Sequence, residues 1–143
     1  MLKKIPKVLS PELVKLMMEM GHGDELVLAD ANFPGHSLHS RVVRCDGIGV
    51  PELLQAILEL LPLDHYAEHQ AVLMSVVPGD TAPAVWEEYR SILRRFDPEA
   101  AVGQEERFAF YERSGRAYTV VMTGEGAPYG NLILKKGVVA SEG

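Results

Sequence analysis

The stretch Ser10-Pro11-Glu12-Leu13-Val14-Lys15-Leu16-Met17-Met18-Glu19-Met20-Gly21-His22-Gly23-Asp24-Glu25-Leu26-Val27-Leu28-Ala29-Asp30 changes its hydrophobic period part-way along. Its first half places Leu13, Leu16, Met17 and Met20 at i, i+3, i+4 and i+7, the spacing of one helix face. Ser10 suits an N-cap, Pro11 the first turn and Glu12 the positive end of the helix dipole. Gly21 is the expected stop. Its second half, Glu25 to Ala29, is a short apolar run that ends at Asp30 and reads as a buried strand. A helix feeding a buried strand through a glycine turn is the repeating unit of an α/β protein.

The remainder of the chain repeats that alternation. Residues 41–45, 71–77, 118–122 and 131–135 read as strands, the second closed by Pro78-Gly79-Asp80. Pro51 to Leu61 and Ala84 to Phe96 read as helices, with Leu54, Ile57, Leu58 and Leu61 on one face of the former and Val85, Tyr89, Ile92 and Phe96 on one face of the latter. Arg107 to Arg113 fits a short helix or a strand. No repeat, low-complexity tract or linker divides the 143 residues. The expected fold is therefore α/β, one layered domain with a mainly buried central sheet flanked by helices. A chain of this length can bury roughly 68–70% of its unfolded surface.

Composition excludes several classes. A net charge of −6 opposes non-specific nucleic-acid binding, which needs clustered cations facing phosphates. No apolar stretch is long enough to span a membrane. Met1 to Lys7 is basic but lacks the apolar segment of a signal peptide behind it. Cys45 is the single cysteine, which suits a reducing compartment, so a cytoplasmic location is expected.

Three motifs fall short of the chemistry they evoke. Gly35-His36-Ser37-Leu38-His39 is close to a nucleophile elbow, but His39 replaces the last Gly and no strand precedes it. His65 and His69 would share a helix face, yet Tyr66 stands where a zinc protease needs Glu. His22, Asp24, Asp30, His36 and His39 have no recognised metal-ligand spacing, and neither Walker nor Rossmann glycine loops occur. No metal or cofactor is therefore expected.

Gly21-His22-Gly23-Asp24 holds an imidazole between glycines, which leave room for a ligand. A helix-terminal His facing the dipole and Asp24 is the competing reading. Asp30 ends a buried strand, where α/β sheets place ligands, or else it serves a turn. Tyr129-Gly130-Asn131 is a turn before the last strand, and Phe108 and Phe110 suit the core. Spacing alone does not choose among these groups.

Five segments, taken in order, resemble the sugar-mutarotase family, in its L-fucose branch and more distantly its D-ribose pyranase branch. They are Leu9-Ser10-Pro11-Glu12-Leu13, Met20-Gly21-His22-Gly23-Asp24-Glu25, Ala29-Asp30-Ala31-Asn32-Phe33-Pro34, Arg107-Phe108-Ala109-Phe110-Tyr111-Glu112-Arg113 and Tyr129-Gly130-Asn131-Leu132-Ile133-Leu134-Lys135-Lys136-Gly137. The resemblance implies one sugar-mutarotase domain over residues 1–143. It implies that His22 is the proton donor and that Asp30, Arg107, Tyr129, Gly130 and Asn131 bind L-fucose. It further implies a ring-shaped homo-oligomer, often a decamer of two pentamers, with sites at subunit boundaries. Arg107 favours the fucose branch, because the ribose branch tends to carry His there. Gly126 and Pro128 depart from the more basic stretch expected before Tyr129.

These residue types suit the interconversion of sugar anomers. Ring opening needs a proton given to the ring oxygen and one taken from the anomeric hydroxyl. His titrates near neutrality, Asp and Asn accept from hydroxyls, and Arg donates to them. Tyr129 or a water would serve as base. Pyranase activity on D-ribose and sugar binding without catalysis are the alternatives.

Overall fold

The computed structural model describes residues 1–141. Helix α1 (Pro11–Glu19) begins as its sequence dictates: the Ser10 hydroxyl accepts the Leu13 N–H at 3.1 Å, and Leu13, Leu16 and Met17 are buried. It ends at Glu19, two residues before the expected glycine, because Met20 is already extended at ψ 135. Gly23, rather than Gly21, takes the left-handed conformation that turns the chain into β1 (Glu25–Ala29).

After β1 come α2 (Gly35–Leu38), β2 (Val42–Cys45), α3 (Val50–Leu58), β3 (Ala71–Met74) and α4 (Val85–Phe96). The chain closes with β4 (Val102–Glu105), α5 (Arg107–Gly115), β5 (Thr119–Thr123) and β6 (Leu132–Lys135). The strands form one sheet in the order β2-β5-β1-β6-β3-β4. Neighbours are parallel except where β6 runs antiparallel between β1 and β3.

Strand alternation divides the core into two layers. Leu26, Leu28, Leu132, Leu134 and Leu73 pack with α1, α3 and α4 on one face. Val27, Ala29, Ile133, Val72 and Met74 face the other way, toward Phe33, Leu38 of α2 and Phe110 of α5. The expected buried sheet flanked by helices is thus the observed fold. Among the described residues no helix is long and apolar enough to cross a membrane.

Several boundaries differ from the sequence reading. The strand expected over 71–77 ends at Met74, since Val76 and Val77 leave the sheet ahead of Pro78. Residues 107–113 are helical, because the Glu106 carboxylate caps them by accepting the N–H groups of Phe108 and Ala109. The short helix α2 and the edge strand β4 carried no usable period. Residues 59–70, with His65 and His69, form no helix.

Register sets the two ends of β1. Leu28 pairs with Leu132, so the start of β6 lies beside the end of β1 and brings Asn131 to Asp30. Glu25 pairs with Lys135, so the end of β6 lies beside the segment that carries His22.

Candidate functional site

At the carboxyl ends of β1 and β3 the sheet opens into a cavity of about 310 Å³. Asp30, Arg107, Tyr129 and Asn131 line it together with Phe33 and Asp80. This is where parallel α/β sheets present ligands, beyond the carboxyl ends of their strands.

Asp30 and Asn131 grip one another although 101 residues apart: the Asp30 N–H donates to Asn131 Oδ1 (2.7 Å), and Asn131 Nδ2 donates to Asp30 Oδ2 (3.0 Å). The Asn32 N–H donates to Asp30 Oδ1 at 3.0 Å. Both side chains are buried. Burial raises the Asp30 carboxyl above its ordinary pKa, and the bonds from Asn32 and Asn131 only partly oppose it.

The 129–131 turn is held from behind by α4. Trp86 Nε1 donates to the Tyr129 carbonyl at 2.8 Å, and the buried Tyr89 hydroxyl donates to the Gly130 carbonyl at 2.9 Å. Tyr129 takes φ 59. A Cβ on residue 130 would stand 2.8 Å from the Ala127 carbonyl oxygen, so only Gly fits this close approach. The turn sends the Tyr129 hydroxyl to Asp80, to which it donates. That bond, with some burial, raises the pKa of the phenol.

Arg107 opens α5 on the cavity rim, exposed, with its Nε donating to the Tyr111 hydroxyl at 3.1 Å. Its guanidinium lies 5.2 Å from the Phe108 ring centre and 5.4 Å from that of Tyr111. Phe108, expected in the core, is 67% exposed, whereas Phe110 is fully buried. On a helix these neighbours cannot share one face, and Phe110 takes the inward one.

His22 is not in this cavity. It precedes β1 while Asp30 follows it, and Glu25 and Ala29 alone span about 13 Å at 3.3 Å per residue. His22 does not face Asp24 either: Asp24 accepts the Gly21 N–H, and His22 Nε2 lies 2.9 Å from Asp64 Oδ1. A carboxylate only accepts, so Nε2 carries the proton and Nδ1 remains free. The Tyr66 ring packs beside the imidazole, 5.2 Å between centres. Burial favours a neutral Asp64, but hydrogen bonds from His22 and the Tyr66 N–H prevail and hold its pKa below the ordinary value.

Two of the other candidates serve the fold. His39 Nε2 donates to the Ala117 carbonyl at 2.6 Å while its Nδ1 accepts the Arg41 N–H. Gly35 packs so near Val120 and Met122 of β5 that a Cβ would overlap the Met122 sulfur. Among the described residues no three His, Cys, Asp or Glu side chains gather as a metal site would require. Asp64 and Asp80 were missed by sequence reasoning. Asp80 ends the turn Pro78-Gly79-Asp80, whose residue types signal only the end of a strand, and Asp64 has no local signal.

A sequence model of the RbsD / FucU transport protein family matches residues 3–139. The chain belongs to that family. Among family members, the fucose mutarotase of Homo sapiens is 53% identical over 146 residues, covering 97% of this chain and 95% of its own length. A crystal structure of the fucose mutarotase from Streptococcus pneumoniae, in complex with L-fucose, superposes with a TM-score of 0.94 at 50% identity, covering 97% of this chain and all of that one. Bacillus subtilis RbsD, complexed with D-ribose, shares the fold at a TM-score of 0.73 and 23% identity, over 98% of this chain and all of that one.

Proposed function

We propose that this chain is an isomerase that interconverts the α and β anomers of L-fucose. One observation carries the reading: a chain 50% identical to an L-fucose-bound fucose mutarotase gathers Asp30, Arg107, Tyr129 and Asn131 around one cavity at the strand ends. A cavity of about 310 Å³ falls at the lower end of the range for small-ligand sites. Asp30 accepts from sugar hydroxyls, and Arg107 donates to them with a fork of N–H groups. Gly130 permits the turn that aims Tyr129 and Asn131. Phe33, Met74 and Tyr111 supply apolar wall.

His22 delivers the proton to the ring oxygen. Asp64 anchors Nε2 and leaves Nδ1 as the working nitrogen, and in the imidazolium it is the Nδ1 proton that is delivered. Because β1 separates His22 from the cavity of its own chain, the complete site is built from two copies, with His22 of one meeting the cavity of the next. A homo-oligomer, read as a decamer of two pentamers, follows, and the exposed Met1, Leu2 and Met18 are apolar surface for such contacts. The protein works in the cytoplasm, on a free monosaccharide, and needs no metal or nucleotide.

Saturation-transfer NMR on L-fucose, with D-ribose as comparator, tests the activity. Magnetisation exchange between the anomeric protons above the protein-free rate is expected. Line broadening without exchange would make the protein a sugar binder, and preference for ribose would make it a pyranase. Mixing the impaired His22→Gln and Arg107→Ala chains tests the shared site: exchange above that of either variant alone is expected, and none would place the whole site within one chain.

A further inference from the structure

The loop joining β3 to α4 carries one acidic side chain, Asp80, that the reading above leaves without a role. It borders the cavity and accepts the Tyr129 hydroxyl proton in a hydrogen bond. The other cavity carboxylate, Asp30, is already committed to Asn32 and Asn131 and lies buried. Asp80 is exposed. A hydroxyl that donates to a carboxylate becomes a better acceptor on its remaining lone pairs. Tyr129 therefore offers a sugar hydroxyl an acceptor backed by a base.

We propose that Asp80, acting through the Tyr129 hydroxyl, takes up the proton of the anomeric hydroxyl during ring opening. The proposal rests on the mutarotase reading, with His22 as donor. The anomeric O–H proton moves to the Tyr129 oxygen as the Tyr129 proton moves to Asp80 Oδ2. The electron pair released at the anomeric oxygen forms the carbonyl, the C1–O5 bond breaks, and O5 takes the proton of the His22 imidazolium. Rotation about C1–C2 followed by the reverse steps closes the ring on the other face and returns both protons. No further reactant is consumed.

Asp80→Asn isolates this role, because an Asn carbonyl still accepts from Tyr129 but is too weak a base to hold the proton. We expect anomer exchange at saturating L-fucose to fall on the order of 10²-fold, the usual contribution of a general base, with fucose affinity and thermal midpoint unchanged. Asp80→Asn combined with Tyr129→Phe should be no slower than Tyr129→Phe alone. Wild-type exchange in Asp80→Asn would reduce Asp80 to a prop for Tyr129 and overturn the proposal, as would a defect confined to affinity. A multiplicative loss in the double variant would overturn the relay through Tyr129. Absence of exchange in the wild type is a separate result, which overturns the mutarotase reading itself.

Discussion

Asn131→Ala tests the link between the last strand and the site. The substitution removes the acceptor of the Asp30 N–H and a donor to the Asp30 carboxylate, both in a buried setting. The bond to the charged group is worth about 1.5–3 kcal/mol, and an orphaned buried N–H costs about 1–3 kcal/mol. The two losses share one partner and overlap, so a total of about 3–4 kcal/mol is expected. That is a large share of a typical domain's ~5–15 kcal/mol but less than the whole, so the variant should fold. The thermal midpoint should fall by roughly 10 °C. A pH signature accompanies the loss. The Asp30 pKa is raised in the folded protein, so its contribution to stability is full below its ordinary value of 3.8 and is lost as pH rises through the folded value. Asn131 lowers that folded value, so its removal raises it further. The deficit of the variant should therefore be larger at pH 7 than near pH 4. Denaturant unfolding of both proteins at equal concentration and at both pH values measures it. A deficit below about 1 kcal/mol at pH 7, or one that grows in acid, would refute the reasoning.

Other outcomes follow from the same geometry. His22→Gln should lower anomer exchange on the order of 10²-fold while fucose affinity survives, since Gln bonds to the ring oxygen without donating a proton; saturation-transfer NMR with a binding titration checks this. Asp64→Asn should be less stable than the wild type at neutral pH, with the gap closing as pH falls below 3.8, because a depressed carboxyl pKa stabilises only above the unfolded value; thermal scans across pH decide it. Arg107→His should weaken handling of L-fucose without altering the thermal midpoint, as His offers at most two donors in place of the Arg fork. Exhaustive chelation should leave exchange unchanged, measured before and after adding back divalent metal. Light scattering at micromolar concentration should give a mass well above 15.7 kDa.

The local elements were legible in the sequence wherever one residue type does one local job. Ser10 caps, Pro11 starts a helix, the i, i+3, i+4 spacing marks a face, and an unbroken apolar run marks a strand buried on both sides. Period alone could not place Arg107 to Arg113, where the deciding group was the Glu106 cap just before the segment. Of the candidate residues, the sequence by itself delivered their identity through resemblance, and it left His22, Asp30 and Tyr129 each with a plain structural alternative.

Only the tertiary structure decided how those residues relate. Asp30 and Asn131 meet because β6 runs antiparallel beside β1, a matter of strand order that no local pattern encodes. The same register puts His22 at the far end of β1, away from the cavity that holds Asp30 and Asn131. Asp64 and Asp80 were invisible beforehand for a physical reason: an Asp in a loop looks alike whether it ends a turn or orients an imidazole. Its role depends on a partner 42 residues away for Asp64 and 49 for Asp80, and only folding brings those partners within hydrogen-bond reach.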